Sequence, residues 1–180
     1  MKTAVNSLGR TVPLEVPGVG AFAPYSTPFG RISSLAGLYT KPRTIRAAMP
    51  CRDKRAASLR AAIEKSGLTD GMTISFHHHL RNGDYVVNMV LDACAEMGIK
   101  ELTLFPTALF GVHKKVIDHI KSGVVTKIMG SVNGPIGQLV SEGGMSVPVV
   151  LRSHGGRPRA VMARDVHIDV AFIGAPTVDK

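Results

Sequence analysis

Read for the period of its apolar positions, the chain divides near residue 53 into a stretch without period and one where strand-like and helix-like patterns alternate. Asp53 is placed to cap a helix carrying Ala56, Leu59, Ala62 and Ile63 on one face, stopped by Gly67. Met72, Ile74 and Phe76 then mark a short buried strand, and after a polar crossing Val86, Met89, Val90, Ala93 and Met97 mark a helix closed by Gly98. Leu102 to Phe105 is a second strand, ended by Pro106. Val112, Val116, Ile117 and Ile120 outline a third helix ending near Gly123. Val124 to Met129 gives another strand, Gly130 to Gly134 a turn, and Pro135 the first position of a helix through Val140. Val147 to Leu151, Arg159 to Met162 and Ile168 to Ile173 read as three further strands. This alternation predicts an α/β domain: an open, mostly parallel sheet with right-handed crossovers and helices on both faces.

Residues 1–52 lack any such period. Pro13, Pro17, Gly18, Gly20, Pro24, Pro28, Gly30, Gly37, Pro42 and Pro50 punctuate an expected extended leader, with the folded domain over 53–180. Gly18-Val-Gly20 is no dinucleotide loop, because neither a strand before it nor a helix after it is readable. The charge supports the same division: residues 1–60 hold ten Lys/Arg against two Asp/Glu, whereas residues 61–180 hold twelve against eleven. A basic arm suits nucleic acid, an acidic partner or plain solvation, and no stacking aromatics interleave Arg43, Arg46, Arg52 and Arg55 to favour RNA. At 180 residues and 44% hydrophobic, the chain is long enough for one domain with a core. Cys51 and Cys94 form no CxxC pair, and Cys94 falls on the apolar side of its helix, as expected of buried thiols in a reducing compartment with no zinc site. With no apolar run of membrane-spanning length and no secretory signal pattern, a soluble cytoplasmic protein is expected.

The polar crossing after the first strand concentrates the candidate chemistry. It sits at the carboxyl end of a strand, where open α/β sheets bind ligands, and at a helix start, whose unpaired N–H groups attract anions. His77, His78, His79 and Arg81 add donors there, so a carboxylate, phosphate or developing oxyanion is the natural guest. Asp84 is either a further site residue or only the helix cap, and one or two of the histidines suit ordinary strand-end roles. Thr107 and His113 follow the second strand, Ser131, Asn133 and Gly134 the third, and Ser153, His154, Gly155 and Gly156 the fourth. In a parallel sheet these loops converge on the rim carrying the histidines. Gly155-Gly156 also reads as a plain tight turn, while His119 and His167 read as surface or edge residues.

The run SFHHHLRNGDYVVNMVLDACAEMGIKELTL, continued by HIKSGVVTKI, RSHGGRPRA and IDVAFIGAPTVD, resembles the amino-terminal domain of the citrate lyase alpha subunit family, citrate CoA-transferases with an open α/β fold in each of two domains. The leader stretch GRTVPLEVPGVGAF is similar to that family's opening, so the resemblance spans essentially the whole chain. It implies exchange of acetyl for citryl on an acyl-carrier thioester, releasing acetate, as part of an ATP-independent cleavage of citrate to oxaloacetate and acetate. It further implies the beta and gamma (acyl-carrier) subunits as partners, citrate as ligand, no nucleic acid and no membrane. No cofactor is implied on this chain itself; the phosphopantetheine group belongs to the acyl carrier. The substrate-binding rim implied is His77, His78, Arg81, Gly83, Asp84, Asn88, Ser131, Asn133, Gly134, His154, Gly155 and Gly156.

Two departures qualify the resemblance. The family's nucleophilic glutamate belongs to its second domain, and Glu64, Glu96, Glu101 and Glu142 all fall on predicted helices or element ends. An amino-terminal fragment without a catalytic residue of its own is therefore expected. Where relatives show a Gly-Leu-Arg-Gly turn, this chain has Ser131-Val-Asn133-Gly134, losing a guanidinium that could clamp a carboxylate. Two other readings stand beside this one. A metal-dependent hydrolase would draw on His77, His79 and His113, but adjacent residues on extended backbone face opposite ways and no HExxH accompanies them. A nucleic-acid-binding module would rest on the leader's charge alone.

Overall fold

The computed structural model of the chain describes residues 2–5, 9–17, 20–21, 55–77 and 84–175. These fall in two compact units, Met1–Arg43 and Thr44–Lys180. In the first, β1 (Thr3–Val5) pairs antiparallel with β2 (Thr11–Pro13), and β3 (Glu15–Val16) with β4 (Gly20–Ala21). The expected extended leader therefore contains short ladders among its described residues. Strands of two or three residues are too short to print an alternating period in a sequence.

The second unit begins with α1 (Leu59–Ser66), whose N-cap is Ser58: its Oγ accepts from the Ala61 N–H at 3.1 Å. The proposed cap, Asp53, lies outside the described residues. Gly67 ends the helix at φ 73°, the left-handed conformation that only glycine adopts cheaply. Next come β5 (Thr73–His77), α2 (Val86–Glu96), β6 (Leu102–Pro106) and β7 (Ala108–Leu109). After a 3₁₀ turn at Gly111–His113 follow α3 (Val116–Lys121), β8 (Val125–Ile128), β9 (Ser131–Val132) and α4 (Gly134–Ser141). The chain continues through α5 (Gly156–Met162) to β10 (Val170–Ile173).

Four of these strands form one parallel sheet in the order β10-β5-β6-β8, and β7 pairs with β9 in a small parallel ladder beyond it. The alternation of strand side chains sorts the core into two layers. Ile74, Phe76, Leu102 and Leu104 meet Ile63 of α1, Val90, Leu91 and Cys94 of α2, and Val116 of α3 on one face. Phe105 points to the opposite face, where it packs with Ala160 of α5 and Val166. Helices thus cover both faces, which is why β6 is buried at every position.

Two predicted strands are corrected. Arg159 to Met162 is the end of α5, and Val147 to Leu151 has no ladder partner. The first carries Arg, Ala and Met, good helix formers in a segment too short to show a 3.6-residue period. The second is interrupted by Pro148, which has no N–H to donate to a ladder. His119 is also not a surface residue: it is 7% exposed, on the inner side of α3, because its ring meets the Asp92 carboxylate on α2. His167, at 85% side-chain exposure, is at the surface.

Candidate active site at the carboxyl rim of the sheet

β5, β6 and β8 run parallel, so their carboxyl ends open on the same edge, and there lies a cleft of about 230 Å³. His77 enters it as the last residue of β5, Pro106 and Thr107 from the end of β6, and Gly130 from the turn after β8. The far wall is the segment leading into α5: Arg152, Ser153, His154, Arg157 and Pro158. A short turn shapes that wall. Ser153 Oγ accepts from the Gly156 N–H at 3.0 Å and the Ser153 carbonyl from the Arg157 N–H at 3.0 Å, directing the chain into the helix.

Gly130 holds the rim close. A Cβ there would stand 2.3 Å from the Pro106 carbonyl oxygen, so only glycine lets the turn after β8 lie against the end of β6.

Arg157 is the best-defined charged group of the cleft. Its Nη2 donates to Ser75 Oγ at 2.6 Å and to the Phe105 carbonyl at 2.9 Å, and its Cζ lies 4.4 Å from the Phe105 ring centroid. Ser75 and Phe105 are register partners on neighbouring strands, which is what presents both to one guanidinium. All three partners are neutral. Burial pulls the Arg157 pKa below its ordinary value, because the charged form is removed from water without a counter-anion. The Nε atoms of Arg157 and Arg152 are both buried and have no hydrogen-bond partner among the described residues. No carboxylate lines the cleft, so its character is cationic and donor-rich.

The predicted rim residues distribute as follows. His77 and His154 face the same cleft, and Gly155 and Gly156 follow His154 in its wall. Ser131, Asn133 and Gly134 come directly after Gly130 but do not line the cleft: Ser131 lies in β9, and Asn133 Nδ2 donates to the Leu109 carbonyl at 3.0 Å, tying the start of α4 to β7. Asp84 caps α2, its Oδ1 accepting from the Val86 N–H at 3.0 Å. Asn88 is buried one turn on, donating to the Val112 carbonyl at 3.0 Å, with its Oδ1 unpartnered among the described residues. His78, His79, Arg81 and Gly83 lie outside the described residues.

His113 is wholly committed to structure. Its Nδ1 accepts from the Phe110 N–H at 3.0 Å and its Nε2 donates to the Asp84 carbonyl at 2.8 Å, which fixes the neutral Nε2–H tautomer and leaves no lone pair for a metal. That removes it from the hydrolase reading, and no group of three metal-ligating side chains occurs among the described residues. The sequence reading missed Arg152 and Arg157. The available signal was RSHGGRPRA itself, where both arginines flank the histidine and glycines already singled out.

No helix of the described residues is long and apolar enough to cross a membrane. The family model "Citrate lyase, alpha subunit (CitF)" matches residues 52–180. Citrate lyase alpha chains from Escherichia coli and Haemophilus influenzae are 45% and 50% identical over 148 and 127 residues, covering 81% and 70% of this chain. The chain spans only 29% and 25% of the length of those two relatives. A crystal structure from Streptococcus mutans, described as the putative alpha subunit of citrate lyase in complex with citrate, superposes with a TM-score of 0.76 at 46% identity. That match covers 95% of this chain and 32% of the other. Sequence and fold agree across the strands that build the cleft, and the chain belongs to the citrate lyase alpha subunit family.

Proposed function

We propose that this chain supplies the amino-terminal, substrate-binding domain, residues 53–180, of a cytoplasmic citrate CoA-transferase. The reaction exchanges the acetyl group of an acyl-carrier thioester for citryl and releases acetate. The observation that carries the reading is a cleft at the carboxyl rim of a parallel sheet, lined by His77, His154, Arg152 and Arg157 and by no acid. Its cationic lining suits a substrate rich in carboxylates. The citrate named in the description of the similar Streptococcus mutans structure supports the same guest.

The attacking group comes from elsewhere. Among the described residues no glutamate lines the cleft; Glu64 lies in α1, Glu96 ends α2, and Glu101 and Glu142 flank β6 and α4. A glutamate of the second domain would open the thioester as nucleophile, dividing the exchange into two acyl transfers. This domain would hold the incoming acid and stabilise the oxyanion of each addition through donors at the rim, with His77 and His154 the described candidates. Asp84, Asn88, Ser131, Asn133 and Gly134 would shape the rim from behind, and His78, Arg81 and Gly83 would complete it. The phosphopantetheine arm would arrive on a gamma acyl-carrier subunit, and a beta subunit would consume the citryl thioester.

The test is transfer of acetyl from a charged carrier to isotopically labelled citrate. The chain alone is expected to give none, while a polypeptide that continues into a second α/β domain gives turnover that falls at least tenfold in His78→Ala, Arg81→Ala and His154→Ala. Transfer by the chain alone overturns the division of labour, and unchanged rates in all three variants remove the rim from the site.

A further inference from the structure

Arg157 carries a buried positive charge whose partners, the Ser75 hydroxyl, the Phe105 carbonyl and the Phe105 ring, are all neutral. A charge drawn from water without a counter-ion is unfavourable, and an anion delivered to it is bound strongly for the same reason. Arg152 stands on the same wall, with its Nε buried and no partner for its guanidinium among the described residues. The two differ in mobility: Arg157 is fixed by two strands, whereas Arg152 is held by no hydrogen bond.

We propose that Arg157 and Arg152 are the specificity-determining pair of the cleft, Arg157 a fixed anchor for one carboxylate and Arg152 a mobile arm for a second, selecting acids with two or more carboxylates over monocarboxylates. This rests on the transferase reading and deepens it. An exchange that takes up a polycarboxylate and releases acetate needs the entering acid held more tightly than the leaving one. Two guanidiniums accomplish that, because acetate engages only one of them. Arginine rather than lysine suits the task, since its planar fork meets a carboxylate with two parallel hydrogen bonds. Ser75 is then a positioning residue: its hydroxyl sets the plane of the Arg157 fork without touching the substrate.

The experiment is calorimetric titration of the 180-residue chain with citrate, tricarballylate, a four-carbon dicarboxylate, acetate and inorganic phosphate. Variants are Arg152→Gln, Arg157→Lys and Ser75→Ala, with circular dichroism melts alongside. The wild type is expected to bind the polycarboxylates and to discriminate against acetate by at least tenfold. Arg152→Gln and Arg157→Lys each weaken the polycarboxylates by about tenfold to a hundredfold, the scale of a lost charge-assisted hydrogen bond. Ser75→Ala weakens them less, and acetate binding hardly responds to Arg152→Gln.

Arg152 has no structural bond to lose, so its variant remains informative if Arg157→Lys fails to fold. Citrate binding unaffected by Arg152→Gln overturns the pair and leaves the transferase reading standing. Tricarballylate binding that depends on both arginines, with citrate ignored, keeps the pair and overturns citrate as substrate. Phosphate bound in preference to every carboxylate, or no binding of any acid, overturns the pair.

Discussion

At the scale of single residues, the rim of the sheet depends on an absence of atoms at Gly130. A methyl group there would have to displace the Pro106 carbonyl, which is backbone and gives way only by moving the end of β6. Gly130→Ala is therefore expected to destabilise the protein by about 1–3 kcal/mol, the range for overpacking, read as a lowered urea midpoint at unchanged slope. The glycine was visible in the sequence as part of a turn, but its contact with Pro106 was not, because it follows from how two strands end side by side. Arg157 was illegible for the same reason. An arginine after Gly-Gly and before proline reads as solvated, and only the register that sets Ser75 beside Phe105 makes it a buried group. His77 and His154 were legible, since each stands where a strand or loop must meet the rim. His119 misled because its partner, Asp92, lies 27 residues earlier on another helix.

At the scale of elements, α2 and α3 are joined across their exposed edge by Asp92. Its Oδ2 accepts from Lys115 Nζ at 2.6 Å and its Oδ1 lies 3.0 Å from His119 Nε2. The Lys115 hydrogen bond, helped by His119, holds the Asp92 carboxyl below the ordinary carboxylate value against the opposing effect of burial. A depressed folded-state value means that this stabilisation is complete above the unfolded-state pKa and disappears as pH falls through the folded one. Asp92→Asn is expected to cost about 0.5–1 kcal/mol at neutral pH, the carboxylate being partly solvated, with the difference from wild type closing in acid below about pH 3. Urea melts across that range measure it. Elements with a long apolar face, such as α2 and β6, were readable because burial on one or both sides imposes a pattern. Helix α5 was not, because seven residues with one buried alanine carry almost none.

At the scale of the whole molecule, both apolar layers meet on β6, and Cys94 lies fully buried in the larger one. Burial alone raises its thiol to about 11, so at neutral pH it is protonated as well as inaccessible. In a Cys51→Ser variant, the thiol reagent DTNB is expected to label Cys94 only through global unfolding. Its labelling rate should then rise with urea along the same slope as the unfolding equilibrium. Labelling at a urea-independent rate would show that α2 opens locally. The parallel α/β architecture followed from alternating strand and helix patterns, which are properties of the core. The two-layer cleft wall did not, since it is made where apolar pattern gives out and turn geometry takes over.

The double bond from Arg157 Nη2 to Ser75 and to the Phe105 carbonyl spans the seam between the two central strands. It works as a tie-rod across the floor: β5 and β6 cannot splay there without first breaking it. A bulkier guest finds no give beneath it, and any adaptation to size falls to the turn that carries Ser153 and His154.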